Sequence, residues 1–292
     1  MSRHRDPIPT LTGLGMRAAG YQFEPPSGSP GIGLWRRRWR PQASGRPRRL
    51  LLVPGFGDGP VSWLPVLWKL RPFLEESFDE LLLADFPGYA GILHAETPFA
   101  SMDALVAAFD TRVAAADPTA LLGHSLGGWL CAGYAAGSKA QPPRRLVLVS
   151  PGGVARSPES RAEFEGKVQQ LLHEGIHAWR PHLFAREPLW FRLIIPGFSR
   201  SIARPELRSF LTSFRDEHSL ETRLGGIADE LRLVWGAEDT LIPAVCADAW
   251  RQRLSVPPGV VFIPGIGHNP QLEAPAALAE VLRTALSPSF PT

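Results

Sequence analysis

The 292-residue chain is short of cysteine, of net charge and of long apolar runs, and each shortage excludes something. Cys131 and Cys246 are its only cysteines. Two are too few for a disulfide framework, so both are expected as reduced, buried thiols. No uninterrupted apolar run approaches the roughly 20 residues that cross a bilayer. The N-terminal stretch MSRHRDPIPTLTGLGMRAAG carries basic residues with no continuous apolar segment behind them. A secretory signal is therefore not expected, and a cytoplasmic setting is. No Cys/His/acid cluster has the spacing of a metal site, so neither metal nor cofactor is expected.

Net charge is only +3, and the pI near 9.2 reflects a modest arginine excess. The arginines are concentrated: LWRRRWRPQASGRPRRL holds seven of them between Leu34 and Leu50. Such a run, with Trp35 and Trp39 interleaved, suits acidic lipid or nucleic acid. It equally suits a solvated strand and hairpin near a sheet edge, where charge discourages edge pairing. The second reading is preferred, so neither nucleic-acid binding nor stable membrane insertion is expected. With 44% hydrophobic and 20% charged residues, the composition is that of a soluble globular protein.

From Leu50 onward, short apolar runs alternate with helical patterns. The strand candidates are Leu50–Val53, Glu80–Asp85, Thr119–Gly123, Arg145–Ser150, Leu231–Gly236 and Gly259–Gly265. They are apolar throughout, as strands covered on both faces are. Ser62–Leu74, Ser101–Ala116, Leu126–Gly137, Ala244–Leu254 and Ala276–Leu286 read as helices between them. This order predicts an α/β fold, a mostly parallel central sheet with helices on both faces. The rhythm stops between Gly152 and Gly226, where only helical patterns occur. The expected organisation is therefore a sheet domain in two parts, 1–151 and 227–292, with an all-helical insertion over 152–226. Such an insertion would lie over the strands' C-terminal ends, where α/β folds place their sites.

Ser125, in ALLGHSLGGWL, falls where a strand ends and a helix begins, with almost no loop between. So tight a turn drives its central residue toward positive φ. Gly123 and Gly127 remove the clash that side chains two positions either side would cause. The hydroxyl then stands clear of the sheet at a helix N-terminus, where amides favour negative charge.

GHSLGG resembles the G-x-S-x-G nucleophile elbow of the α/β-hydrolase superfamily, in the strand–turn–helix context that the motif requires. The resemblance extends from about Leu50 to Leu286, with the insertion similar to that family's helical cap. It implies a chain order of nucleophile, acid and histidine, met by Ser125, by Asp239 in LVWGAEDTLIP, and by His268 in FIPGIGHNPQLEAP. Glu238 is the alternative acid, and Asp239 holds the family's position. His268 would take the serine's proton, and Asp239 would hold the imidazole tautomer. The oxyanion donors implied are the amides of Leu126 and of Phe56 in VPGFGDG, where many relatives read His-Gly and this chain reads Pro54-Gly55. Asp58 is expected as a turn residue, Asp85 as structural, and the side chain of His124 as pointing away from the nucleophile.

A seryl nucleophile suits attack at a carbonyl through an acyl-enzyme. The expected substrate is a small molecule, a carboxylic ester or thioester of mostly apolar character. The C–C bond of a diketone, or ligand binding with little turnover, are the alternatives. Trp190, Phe191 and Ile194 of the insertion are the expected pocket residues.

Overall fold

The computed structural model describes residues 7–40, 45–91, 93–94, 96–137, 143–227, 230–254 and 256–287. Eight strands form one sheet: β1 (Gln22–Glu24), β2 (Gly33–Arg38), β3 (Arg49–Val53), β4 (Glu80–Asp85), β5 (Ala120–His124), β6 (Arg145–Val149), β7 (Leu231–Gly236) and β8 (Gly259–Ile263). Their spatial order is β1-β2-β4-β3-β5-β6-β7-β8. β2 runs antiparallel to β1 and β4, and every pairing from β4 through β8 is parallel.

Burial on both faces explains the unbroken apolar runs of β3 to β6, whereas β8 lies at the sheet's edge, is mostly part-exposed and shows Phe262 to solvent, contrary to expectation. Leu50 and Leu52 of β3 belong to one core cluster, Leu51 and Val53 to another, and β4, β5 and β6 divide in the same way. Successive side chains of a strand alternate between faces, so a strand between two helical layers needs apolar residues at every position.

The helices are α1 (Pro7–Ala18), α2 (Leu64–Ser77), α3 (Met102–Ala116), α4 (Leu126–Gly137), α5 (Pro158–Glu174), α6 (Ile176–Leu183), α7 (Phe191–Ile202), α8 (Pro205–Thr212), α9 (Cys246–Arg253), α10 (Pro270–Glu273) and α11 (Pro275–Ala285). Residues of α1, α2 and α11 share one face's core; those of α3, α4 and α9 share the other's. Helices α5–α8 form the cap region, between β6 and β7 in the chain. Leu171, Ile176, Trp179, Phe191 and Phe210 of the cap are buried in the same cluster as α3 and α4. The cap thus shares the sheet's core instead of building one of its own.

The arginine-rich segment corrects one expectation. β2 lies near the sheet edge, one strand in, but is only partly solvated: Gly33–Trp35 are buried and Arg36–Arg38 are half-buried to exposed, and Trp35 is fully buried with its indole N–H donating to Asp85 Oδ2 at 2.9 Å. Arg36, Arg38 and Arg49 converge on Glu80, while Arg40 and Arg48 meet Asp79. Burial disfavours the charge on Glu80, but those arginines outweigh it and hold its carboxyl below the usual range. Both cysteines are free and buried, and burial pushes the Cys131 thiol up.

Candidate active site

β5 ends at His124 and α4 begins at Leu126, so Ser125 alone makes the turn, with φ of 51°. The two glycines serve different contacts. A Cβ at Gly123 would lie 2.5 Å from the carbonyl oxygen of Gly127. One at Gly127 would lie 2.2 Å from that of Val53 and 2.4 Å from that of Pro54. Gly123 therefore relieves the clash across the turn, while Gly127 lets α4 press against the end of β3. The turn is anchored by the Ser125 amide, which donates to Val149 O at 2.9 Å.

The loops after β7 and β8 bring their side chains to this hydroxyl. His268 Nε2 lies 3.0 Å from Ser125 Oγ, and His268 Nδ1 lies 2.8 Å from Asp239 Oδ2. The other oxygen, Asp239 Oδ1, accepts the amides of Leu241 at 3.0 Å and Ile242 at 2.9 Å. Those two donors fix the carboxylate's rotation, which leaves Oδ2 free to accept Nδ1–H. The resulting tautomer presents a lone pair on Nε2 to the serine hydroxyl. Asp239 and His268 are buried, whereas Glu238 is exposed to solvent.

The buried His124 side chain engages the backbone of the His268 loop. Its Nε2–H donates to His268 O at 2.9 Å. Burial foremost, then the neighbouring His268, pushes its pKa down to about 3, so it stays neutral. The loop after β3 passes directly over the turn: a Cβ at Gly55 would fall 2.8 Å from His124 Nδ1 and 3.2 Å from Ser125 Cβ. Phe56 and Leu126 line the same cavity as Ser125 and His268. The Leu126 amide is at the first position of α4, where helix geometry leaves N–H groups without intrahelical partners.

That cavity, about 330 Å³, lies between the sheet's C-terminal edge and the cap. The Phe56 ring is the hub of its aromatic lining, stacked on Phe210 at 6.1 Å and edge-on to Tyr89, Trp179 and Phe198. Of the three expected pocket residues, Phe191 is buried and lines the cavity, and Trp190 lines it while half exposed. The Ile194 side chain lies outside the described residues. Trp129, Phe198 and Phe210 also line it and escaped the sequence reading. Their helical spacing marks them as buried but says nothing of which void they face. Thr12 of α1 contributes as well, from a segment whose glycines and prolines masked the helix.

Asp58 makes its turn by accepting Gly59 N at 2.8 Å, and its other oxygen accepts from Trp63 Nε1 and Gln271 Nε2, both at 3.2 Å. Burial pushes its carboxyl up, against the pull of those donors. Among the described residues one cluster, Asp103, Glu217 and His218, has metal-like spacing. Arg215 pairs with both acids there, and its amide donates to His218 Nδ1, so the potential ligand atoms are already engaged.

Comparison with known proteins agrees with this architecture. Residues 50–281 match the profile described as "Alpha/beta hydrolase family". The chain is 29% identical over 273 residues to the dihydrolipoyllysine-residue acetyltransferase component of the acetoin cleaving system of Cupriavidus necator, covering 88% of this chain and 66% of that protein. It is 31% identical over 131 residues to strigolactone esterase D14 of Arabidopsis thaliana, covering 42% and 48%. The chain thus spans a little under two thirds of the first relative and about half of the second. Among solved structures, a thermophilic esterase from Thermogutta terrifontis superposes with a TM-score of 0.63 at 20% identity, covering 91% of this chain and 97% of that one. The chain belongs to the alpha/beta hydrolase family.

Proposed function

We propose that this hydrolase cleaves carboxylic esters, thioesters included, whose acyl part is small to medium and mostly apolar. The observation that carries the reading is the relay from Asp239 through His268 to Ser125, with contacts of 2.8 and 3.0 Å, opening onto an apolar cavity.

In the proposed reaction, His268 Nε2 takes the proton of Ser125 Oγ as the oxygen bonds to the carbonyl carbon. Asp239 stabilises the imidazolium that forms. The amides of Phe56 and Leu126 donate to the oxyanion. The tetrahedral centre collapses, its bond to the alcohol or thiol breaks, and the imidazolium protonates that leaving group. Water then attacks the acyl-enzyme with His268 again as base, releasing the acid and restoring Ser125. A cavity of about 330 Å³ falls at the small end of ligand pockets, which favours short and medium acyl chains.

The test is stoichiometric labelling by a fluorophosphonate, with the adduct located by mass spectrometry, alongside hydrolysis of p-nitrophenyl esters from acetyl to decanoyl. Labelling at Ser125 that disappears in Ser125→Ala and drops sharply in His268→Ala, with turnover greatest at short or medium length, supports the proposal. No labelling above background would point to a binding protein on a hydrolase fold. A preference for bulky diketones over all the esters would replace the ester reading.

A further inference from the structure

The cap touches the loops that carry Phe56, Asp239 and His268. On the oxyanion side, a Cβ at Gly57 would sit 2.1 Å from the ring of Phe198 in α7. On the acid side, Lys167 Nζ in α5 donates to Thr240 O at 2.7 Å, next to Asp239, and His182 Nδ1 in α6 lies 2.9 Å from Thr240 Oγ1.

The base side is held most closely. The His268 loop and the chain leaving α6 are in backbone contact, since a Cβ at Gly267 would lie 2.5 Å from the Ala185 amide nitrogen. Asn269 donates to Leu183 O twice, from its backbone N at 3.2 Å and its Nδ2 at 3.1 Å. Glu273, in α10, closes the junction. Its Oε2 accepts Gly267 N at 2.8 Å and Ala185 N at 3.3 Å, and its Oε1 accepts Arg186 N at 2.7 Å. One carboxylate therefore binds an amide adjacent to His268 and two amides of the cap. Carboxylate–amide bonds of this sort are charge-assisted and directional. The same short helix reaches the oxyanion loop through Gln271 and Asp58.

We propose that Glu273 is a positioning residue that ties the His268 loop to the cap, so that the imidazole keeps its distance from Ser125 only while the cap is seated. The proposal rests on Ser125 and His268 being the reacting pair. Cutting the tie leaves the cavity walls intact and loosens the base, so the loss falls on kcat and not on substrate binding. Displacements of an ångström at a reacting group cost up to about 100-fold.

The experiment compares wild type, Glu273→Ala and Glu273→Gln by fluorophosphonate labelling and by kcat and KM on acetyl and hexanoyl p-nitrophenyl esters. The expected result is labelling of wild type at Ser125 and a kcat for E273A lower by about 10- to 100-fold, with KM within about twofold. E273Q keeps an oxygen for two of the three amides and stays within about threefold of wild type. The hexanoyl ester, by filling the cavity and seating the cap, shows a smaller loss than the acetyl ester. A labelled wild type with E273A turning over at the same rate, or losing only in KM, would overturn the proposal. An unlabelled wild type removes the ester-hydrolase reading and the proposal with it. Should E273A fail to fold, Glu273→Asp decides, because it keeps the charge but is one methylene too short to hold Gly267 N and the two cap amides together: a kcat loss with KM unchanged supports the proposal, and a wild-type kcat overturns it.

Discussion

Replacing Asp239 with asparagine alters one atom, and the surroundings of that carboxylate decide what the change does. Oδ1 is held by the amides of Leu241 and Ile242, at 3.0 and 2.9 Å. In Asp239→Asn the carbonyl oxygen must stay on those donors, which turns the amide NH₂ toward His268 Nδ1. The imidazole then accepts at Nδ1, carries its proton on Nε2 and cannot deprotonate Ser125. The alternative rotamer restores the contact to Nδ1–H but points NH₂ at two backbone amides. Losing those two bonds costs at least about 2 kcal/mol. At about 1.4 kcal/mol per decade, the working rotamer is then populated about 30-fold less. Thirtyfold is thus the smallest loss expected even if that rotamer were fully active, and a wrong tautomer in this kind of relay costs about 10⁴ in kcat. The assay is p-nitrophenyl butyrate hydrolysis with active sites counted by fluorophosphonate titration. A loss below about tenfold in a correctly folded variant would refute the argument that Asp239 sets the tautomer.

Two further outcomes concern stability. His124 has a folded pKa near 3 against an ordinary 6.5, so the unfolded chain binds its proton first as pH falls. The stabilisation is complete above about pH 6.5 and erodes toward pH 3 at about 1.4 kcal/mol per pH unit. Urea unfolding at pH 7 and 4.5 should differ by about 2–3 kcal/mol more in wild type than in His124→Gln, and equal differences would show that His124 is not the group responsible. Gly127→Ala places a methyl group 2.2 Å from a backbone oxygen that has no rotamer to escape into. A loss of about 3 kcal/mol is expected, read as a lowered urea midpoint, and an unchanged midpoint would contradict the packing argument.

The parallel part of the fold was legible because strands covered on both faces must be apolar at every position, as the central residues of β3 to β6 are; β8 has the same apolar run although it is a part-exposed edge strand. β1 and β2 were not: a three-residue strand carries little signal, and GLWRRR looks solvated until Glu80 is placed beside it by a pairing 44 residues away in sequence. The turn at Ser125 could be read because its demands are local, two glycines and one strained residue. The walls of the cavity could not, since Phe198 and Phe210 have the same helical spacing whether they face a void or a neighbouring helix. Glu273 hid for a related reason. It lies on a four-residue helix, and its partners at Ala185 and Arg186 are backbone amides that no sequence pattern marks.

Phe56 unites two things that an enzyme engineer would prefer to find apart. Its main chain lies in the loop over Ser125, while its ring is the hub of the aromatic cluster that gives the cavity its shape. A library that randomises position 56 to widen substrate range would therefore disturb the backbone beside Ser125 with every change of ring. Varying Phe210 reshapes the same void from the cap side through its stacking on the Phe56 ring, whereas Phe198 also packs against Gly57 of that loop.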